Sequence, residues 1–171
     1  MSGGDGKVGV TFCPGKHQSD ALTGVWRRDL GLDLDAISAW GATIVVTLVT
    51  AEEMMALRVS HLGEQVSARG MRWLHLPIPD VSTPAAEWER RWKEERGWIH
   101  SELDAGRRVL VHCKGGLGRA GLVAARILIE RGEQPSAALA AVRAARPGAI
   151  ETVAQEQYLL RLHRGECRRV F

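Results

Sequence analysis

The chain has 171 residues, 45% of them hydrophobic and 25% charged, which fits one ordinary globular domain. A net charge of +3 suits an anionic substrate but is too small to indicate nucleic acid or a lipid surface, so neither is expected as a partner. The three cysteines (Cys13, Cys113 and Cys167) fit no disulfide framework and no zinc site, and there is neither a signal-peptide segment nor an apolar run of about 18 residues, so a reducing, cytoplasmic setting is expected.

Residues 1–7 are glycine-rich and read as a disordered N-terminus; a single domain is expected over residues 8–164, with a short basic tail over 165–171. Val8 to Phe12 reads as a strand that turns out at Cys13-Pro14-Gly15, and Lys16, His17 and Arg27 fall in the loop region that follows, solvated unless they line the mouth of a site. Asp33 is a candidate N-cap for a helix ending at Trp40 and Gly41. Thr43 to Val49 is β-branched and apolar, a central strand. Thr50-Ala51-Glu52-Glu53 spells a capping box. A short helix near His61 to Ala68 leads to a strand over Met71 to Leu76 and a proline-stiffened loop over Pro77 to Pro84. A long helix then carries Trp88, Trp92, Ile99 and Leu103 on one stripe, which reads as core. A strand over Arg108 to His112 is followed by helices over Arg119 to Arg131, Pro135 to Ala145 and Glu151 to His163. Strands alternating with helices predict a single-domain, three-layer α/β/α fold around a small, mainly parallel sheet.

The chemistry concentrates in Val109 to Gly121. Cys113 and Arg119 enclose Lys114, Gly115, Gly116, Leu117 and Gly118, and a helix opens at once. Glycines let successive backbone N–H groups turn inward, and such a loop at a helix N-terminus is an anion site. The same positive field favours a thiolate nucleophile at Cys113, and the planar fork of Arg119 can clamp two oxygens of a tetrahedral anion. Two rival readings fail on spacing. Gly116-Leu117-Gly118-Arg119-Ala120-Gly121 fits G-x-G-x-x-G, but no second strand with an acid follows about 20 residues on. A Walker loop would need Lys-Ser or Lys-Thr after the glycines.

The His112-Cys113-x5-Arg119 loop, Pro77-Ile78-x-Asp80 and Gly148-Ala149-Ile150-x-Thr152-x-x-Gln155 together resemble the cysteine-dependent dual-specificity and tyrosine phosphatases, and within them the kinase-associated phosphatase group. The resemblance runs from about Phe12 to His163 and implies the α/β/α fold, a phosphatase catalytic domain over 8–164, and hydrolysis of phosphomonoesters through a phosphocysteine intermediate, with no metal and no cofactor. It makes Cys113 the nucleophile, the N–H groups of Lys114 to Arg119 the phosphate cradle, and Asp80 the general acid, 33 residues before the cysteine. It makes His112 a hydrogen-bonding support for the thiolate, and Gln155 a candidate to position the hydrolytic water. The implied partner is a phosphorylated protein, on phosphotyrosine and also phosphoserine or phosphothreonine. Oligomeric state is not readable. One departure stands out: most relatives carry Ser or Thr after the loop arginine, and here the residue is Ala120. That keeps open a phosphate-binding module with poor turnover, and a phosphoinositide or nucleotide phosphatase is a third reading.

Overall fold

The computed structural model describes residues 6–166. Residues 1–5 of the expected N-terminal segment, residues 167–171 of the expected tail, and with them Cys167, lie outside the described residues. The sheet has four parallel strands in the order β1-β6-β4-β5: β1 is Lys7–Thr11, β4 Ala42–Thr47, β5 Arg72–His75 and β6 Arg108–His112. Its register sets Thr11, His112, Thr47 and His75 side by side at the carboxyl ends of the strands. That edge is where an open parallel sheet binds ligands.

Alternate residues of the central strands feed two cores. Ile44, Val46, Val109 and Val111 pack with Trp92 and Ile99 of α4 (Ala86–Asp104) and with Leu122 and Val123 of α5 (Gly118–Glu130). Val45 and Leu110 pack on the other face with Leu34 of α1 (Leu30–Trp40) and with Leu62 and Val66 of α3 (Leu62–Ala68). A strand buried on both faces must be apolar almost throughout, because each fully buried aliphatic side chain stabilises the fold by about 1.5–3 kcal/mol. The tryptophan stripe is core, as expected: Trp88 and Trp92 are buried and stacked with ring centroids 5.0 Å apart. Helices α6 (Pro135–Ala145) and α7 (Val153–Glu166) complete the layer beside α5. Among the described residues no helix is long and apolar enough to cross a membrane.

The expected elements recur with shifted ends. β1 starts at Lys7, one residue inside the segment read as disordered, and α7 runs into the first two residues of the expected tail. Asp29, not Asp33, caps α1, its side chain accepting from the Leu32 N–H at 2.9 Å. Asp33 is taken instead by the Arg28 guanidinium and by the Gly15 N–H, 2.9 Å away. The capping box at Thr50 and Glu53 is present and opens α2 (Ala51–Ala56). The segment after Gly15 is not a plain loop. β2 (His17–Ala21) and β3 (Gly24–Arg27) form an antiparallel hairpin over the carboxyl end of β1.

Candidate active site

Cys113 follows the last residue of β6, and α5 begins at Gly118, so the intervening turn lies at the carboxyl edge of the sheet. Every carbonyl from Lys114 to Leu117 is held from outside this turn. Lys114 O accepts from Cys13 N (3.2 Å) and Lys16 Nζ (3.2 Å). Arg146 donates to Gly116 O (3.1 Å) and Gly115 O (3.3 Å), and Gly121 N and Ile150 N donate to Leu117 O. With the carbonyls fastened outward, one peptide N–H of the turn is aimed at the sulfur and another, that of Gly118, is taken by Glu151. Gly116 N lies 3.2 Å from Cys113 Sγ. Gly116 has to be glycine: its φ is +72°, and a Cβ there would sit 2.4 Å from the carbonyl carbon of Thr11.

Arg119, the second residue of α5, is 2% exposed. Its guanidinium meets both oxygens of Glu53 at 2.7 and 2.8 Å, the carbonyl of Ile78 at 2.9 Å, and Asp80 Oδ1 at 2.9 Å. Burial alone would raise the Glu53 carboxyl, but hydrogen bonds from Arg119 and from the Thr50 N–H hold it below the usual carboxylate range. Asp80 stands at the mouth, 57% exposed, on the loop after β5. The next residue, Val81, has φ +52°, and its N–H donates to Asp80 Oδ1 at 3.0 Å.

His112 is fully buried and bonds the carbonyl of Cys113 through Nδ1 (3.3 Å) and the Thr47 hydroxyl through Nε2 (2.8 Å), so it supports the turn through the backbone of the cysteine. Burial drives its pKa down to about 4, which keeps it neutral near pH 7. Gln155 is buried, and its amide is occupied at both ends. Oε1 accepts from Glu151 N (3.0 Å) and Thr152 N (3.2 Å), while Nε2 reaches Ser82 O (3.4 Å). The amide fastens the residues that lead into α7 and also lies against the loop, Nε2 and Oε1 being 3.1 and 3.2 Å from where a Cβ on Gly118 would sit. Glu151 reaches the loop as well, its Oε2 accepting from Gly118 N at 2.9 Å. Ala120 is fully buried in the same apolar cluster as Cys113.

Sequence reasoning missed Glu53, Glu151 and Arg146. Glu53 was legible only as a capping-box member, and one carboxylate serves both tasks, accepting from Thr50 N and from Arg119. Lys16 corrects the expectation of a solvated loop. It is 3% exposed, with Nζ 4.0 Å from the Trp26 ring centroid and hydrogen-bonded to the catalytic turn. Its burial pushes the ammonium pKa down. Cys13, packed beside it, is fully buried, and that burial pushes its thiol up to about 12. Among the described residues no group of three or more His, Cys, Asp or Glu side chains is placed to hold a metal ion.

Residues 20–159 match the family described as Swiss Army Knife protein, DSP-PTPase phosphatase domain. The chain is 35% identical over 157 residues to cyclin-dependent kinase inhibitor 3 of Rattus norvegicus, an alignment covering 89% of this chain and 69% of the relative. Among solved structures it resembles kinase associated phosphatase with its catalytic site cysteine substituted by serine (TM-score 0.80, 28% identity, 95% of this chain and 89% of that one). It also resembles Tk-PTP in the active form (TM-score 0.66, 33% identity, 88% and 97%).

Proposed function

The chain belongs to the DSP-type protein tyrosine phosphatases and acts on phosphoproteins, and from that premise we propose that Cys113 carries the reaction through a phosphocysteine intermediate. In the first step Cys113 Sγ attacks phosphorus and the bond to the leaving oxygen breaks. The N–H groups from Lys114 to Arg119 and the Arg119 guanidinium hold the three remaining oxygens, and Asp80 gives the leaving oxygen its proton. In the second step water attacks phosphorus, the S–P bond breaks with its electron pair returning to sulfur, and phosphate leaves. The half-buried Lys114 adds positive field next to the nucleophile.

The observation that carries this reading is the meeting of chain-distant groups at one anion-shaped turn. Asp80 Oδ1 lies 2.9 Å from Arg119, whose loop also turns Gly116 N toward Cys113 Sγ. We propose phosphotyrosine and also phosphoserine or phosphothreonine as targets. The kinase association in the relatives' names makes a phosphorylated kinase segment the first substrate to try. Cytoplasm is the proposed setting, since the nucleophile must stay reduced. Ala120 keeps a second reading in play, a module that captures phosphoproteins and turns them over slowly.

The test is phosphate release from a panel of phosphopeptides and phospholipids by the natural protein and by Cys113→Ser. Release from peptides, abolished in Cys113→Ser with phosphate binding retained, is expected. Release confined to phospholipids, or activity surviving in Cys113→Ser above a few per cent, refutes the assignment.

A further inference from the structure

A cleft of about 250 Å³ lies between the β2–β3 hairpin and the end of α2, lined by His17, Trp26, Arg27, Ala56 and Arg58 among others. Its charged lining consists of Arg27 and Arg58, and none of its lining residues is a carboxylate. His17 and Arg27 are direct cross-strand partners in the hairpin. Arg58 comes in from the other wall on a backbone of φ +60°, a conformation that an L-residue adopts only against strain. Among the described residues none of the three has a carboxylate partner. Arg28, the neighbour of Arg27, does have one in Asp33, so the hairpin is not short of acid in general.

Both walls of the cleft continue directly into the supports of the catalytic turn. Lys16, just before His17, holds Lys114 O, and Glu53, in the helix just before Arg58, holds Arg119. The cleft also adjoins the turn through Lys16, whose Nζ holds Lys114 O and lies 4.0 Å from the ring centroid of Trp26 on the cleft wall. The basic walls also sit beside exposed apolar side chains, Val25 and Leu22 of the hairpin and Met55 of α2, a mixture suited to a polypeptide more than to a small anion.

We propose that this cleft is a substrate subsite that takes an anionic side chain, a carboxylate or a second phosphoryl group, of the phosphoprotein whose phosphoresidue enters the Cys113 turn. The proposal rests on the phosphatase reading above, and concerns which substrates are preferred, not whether the chemistry occurs.

The experiment compares phosphotyrosine peptides identical except for Glu, Gln or a second phosphoresidue scanned through the flanking positions, with a small aryl phosphate as the reference. The variants are the double Arg27→Ala/Arg58→Gly, where glycine accepts the positive φ so the fold is not put at risk, and the double Arg27→Lys/Arg58→Lys. An exposed ion pair gives about a 1.5- to 5-fold effect, so losing two should raise KM for the best acidic peptide roughly 3- to 10-fold, with kcat unchanged. The Gln peptide and the aryl phosphate should be unaffected, the lysine double should regain most of the affinity, and added salt should erase the preference. The second phosphoresidue outperforming Glu would assign the cleft to phosphoryl groups, and the reverse to carboxylates. Equal KM for Glu and Gln peptides at every position, or an equal loss on all peptides and the aryl phosphate in the variant, overturns the subsite. Absence of aryl phosphatase activity in the natural protein would instead overturn the reading it rests on.

Discussion

Ala120→Ser probes the second half of the reaction. Ala120 is the third residue of α5, fully buried in the cluster that contains Cys113, and among the described residues Cys113 Sγ has one hydrogen-bond donor, Gly116 N at 3.2 Å. On the proposed mechanism the groups at work in the first step are Cys113, the N–H cradle, Arg119 and Asp80. In the second the sulfur leaves with negative charge, and a hydroxyl at residue 120 would donate to it. A hydrogen bond to a charged group is worth about 1.5–3 kcal/mol, or roughly 10- to 100-fold in rate. The natural protein is therefore expected to release a burst of leaving group and then turn over slowly, and Ala120→Ser to speed the slow phase while leaving the burst rate within about twofold. Rapid-quench kinetics on an aryl phosphate with a good leaving group measures both. A hydroxyl that fails to find the sulfur would be an unsatisfied buried polar group costing about 1–3 kcal/mol, so the melting temperature is read in parallel. No burst in the natural protein, together with no gain in a stably folded Ala120→Ser, refutes the reasoning and removes the main support for a capture module.

Asp80→Asn should slow poor leaving groups by about 10²- to 10⁴-fold and good ones much less; equal losses on both would make Asp80 a turn residue and place the acid elsewhere. The two buried cysteines should separate chemically. With its thiol pushed up to about 12, Cys13 is inert near neutral pH, so mild peroxide followed by mass spectrometry should modify Cys113 first, and modification of Cys13 first would contradict the site. His112 predicts an acid weakness in the fold. Its folded pKa of about 4 lies below the ordinary 6.5, so the unfolded chain takes up the proton more readily. Its contribution is intact above about pH 6.5 and declines down to about pH 4, a loss of roughly 3 kcal/mol across the window. Urea unfolding at several pH values should show a shallower decline for His112→Gln than for the natural protein, and parallel profiles would contradict the buried neutral imidazole.

The parts of the fold legible in the sequence are those fixed by short-range rules. Thr43 to Val49 and Val109 to Val111 could hardly be anything but doubly buried strands, and Thr50 with Glu53 formed the capping box their spacing spells. The β2–β3 hairpin was not legible because His17-Gln18-Ser19-Asp20-Ala21 has no apolar alternation; its strands are half-exposed and only Gly24, at φ +103°, marks the turn. Asp33 misled because capping, an ion pair with Arg28 and a bond to Gly15 are equally good uses of one aspartate, and the sequence does not rank them. The catalytic turn was readable because nucleophile, cradle and clamp are contiguous. Its supports were not, since Glu53 lies 66 residues and Arg146 lies 30 residues from the groups they hold. Gln155 and Glu151 show the limit most clearly. Glu151 lies just before α7 and Gln155 within its first turn, and only the folded chain shows that both come to lie against Gly118, Glu151 by accepting from its N–H.

Arg119 shows how substrate entry and acid release are joined. Its fork meets Glu53 with both nitrogens at a site almost free of solvent, whereas its bond to Asp80 is a single contact to a side chain that is more than half exposed. Exposed ion pairs contribute about 0–1 kcal/mol, while charges removed from water are costly to separate from their partners. On the proposed mechanism, an incoming phosphoryl group that needs the Nη2 edge of Arg119 therefore displaces Asp80 and leaves Glu53 in place. Glu53 then keeps the guanidinium plane aligned, and Asp80, freed from the ion pair on its exposed loop, takes up a proton from solvent that it then gives to the leaving oxygen. The cradle obeys the same rule at its other end: Glu151 is exposed and holds Gly118 N by one hydrogen bond, so a phosphoryl oxygen taking that donor displaces it as well. In the resting protein two of its own carboxylates thus stand on donors that the phosphate uses, and the two held most weakly are the ones whose departure substrate binding requires.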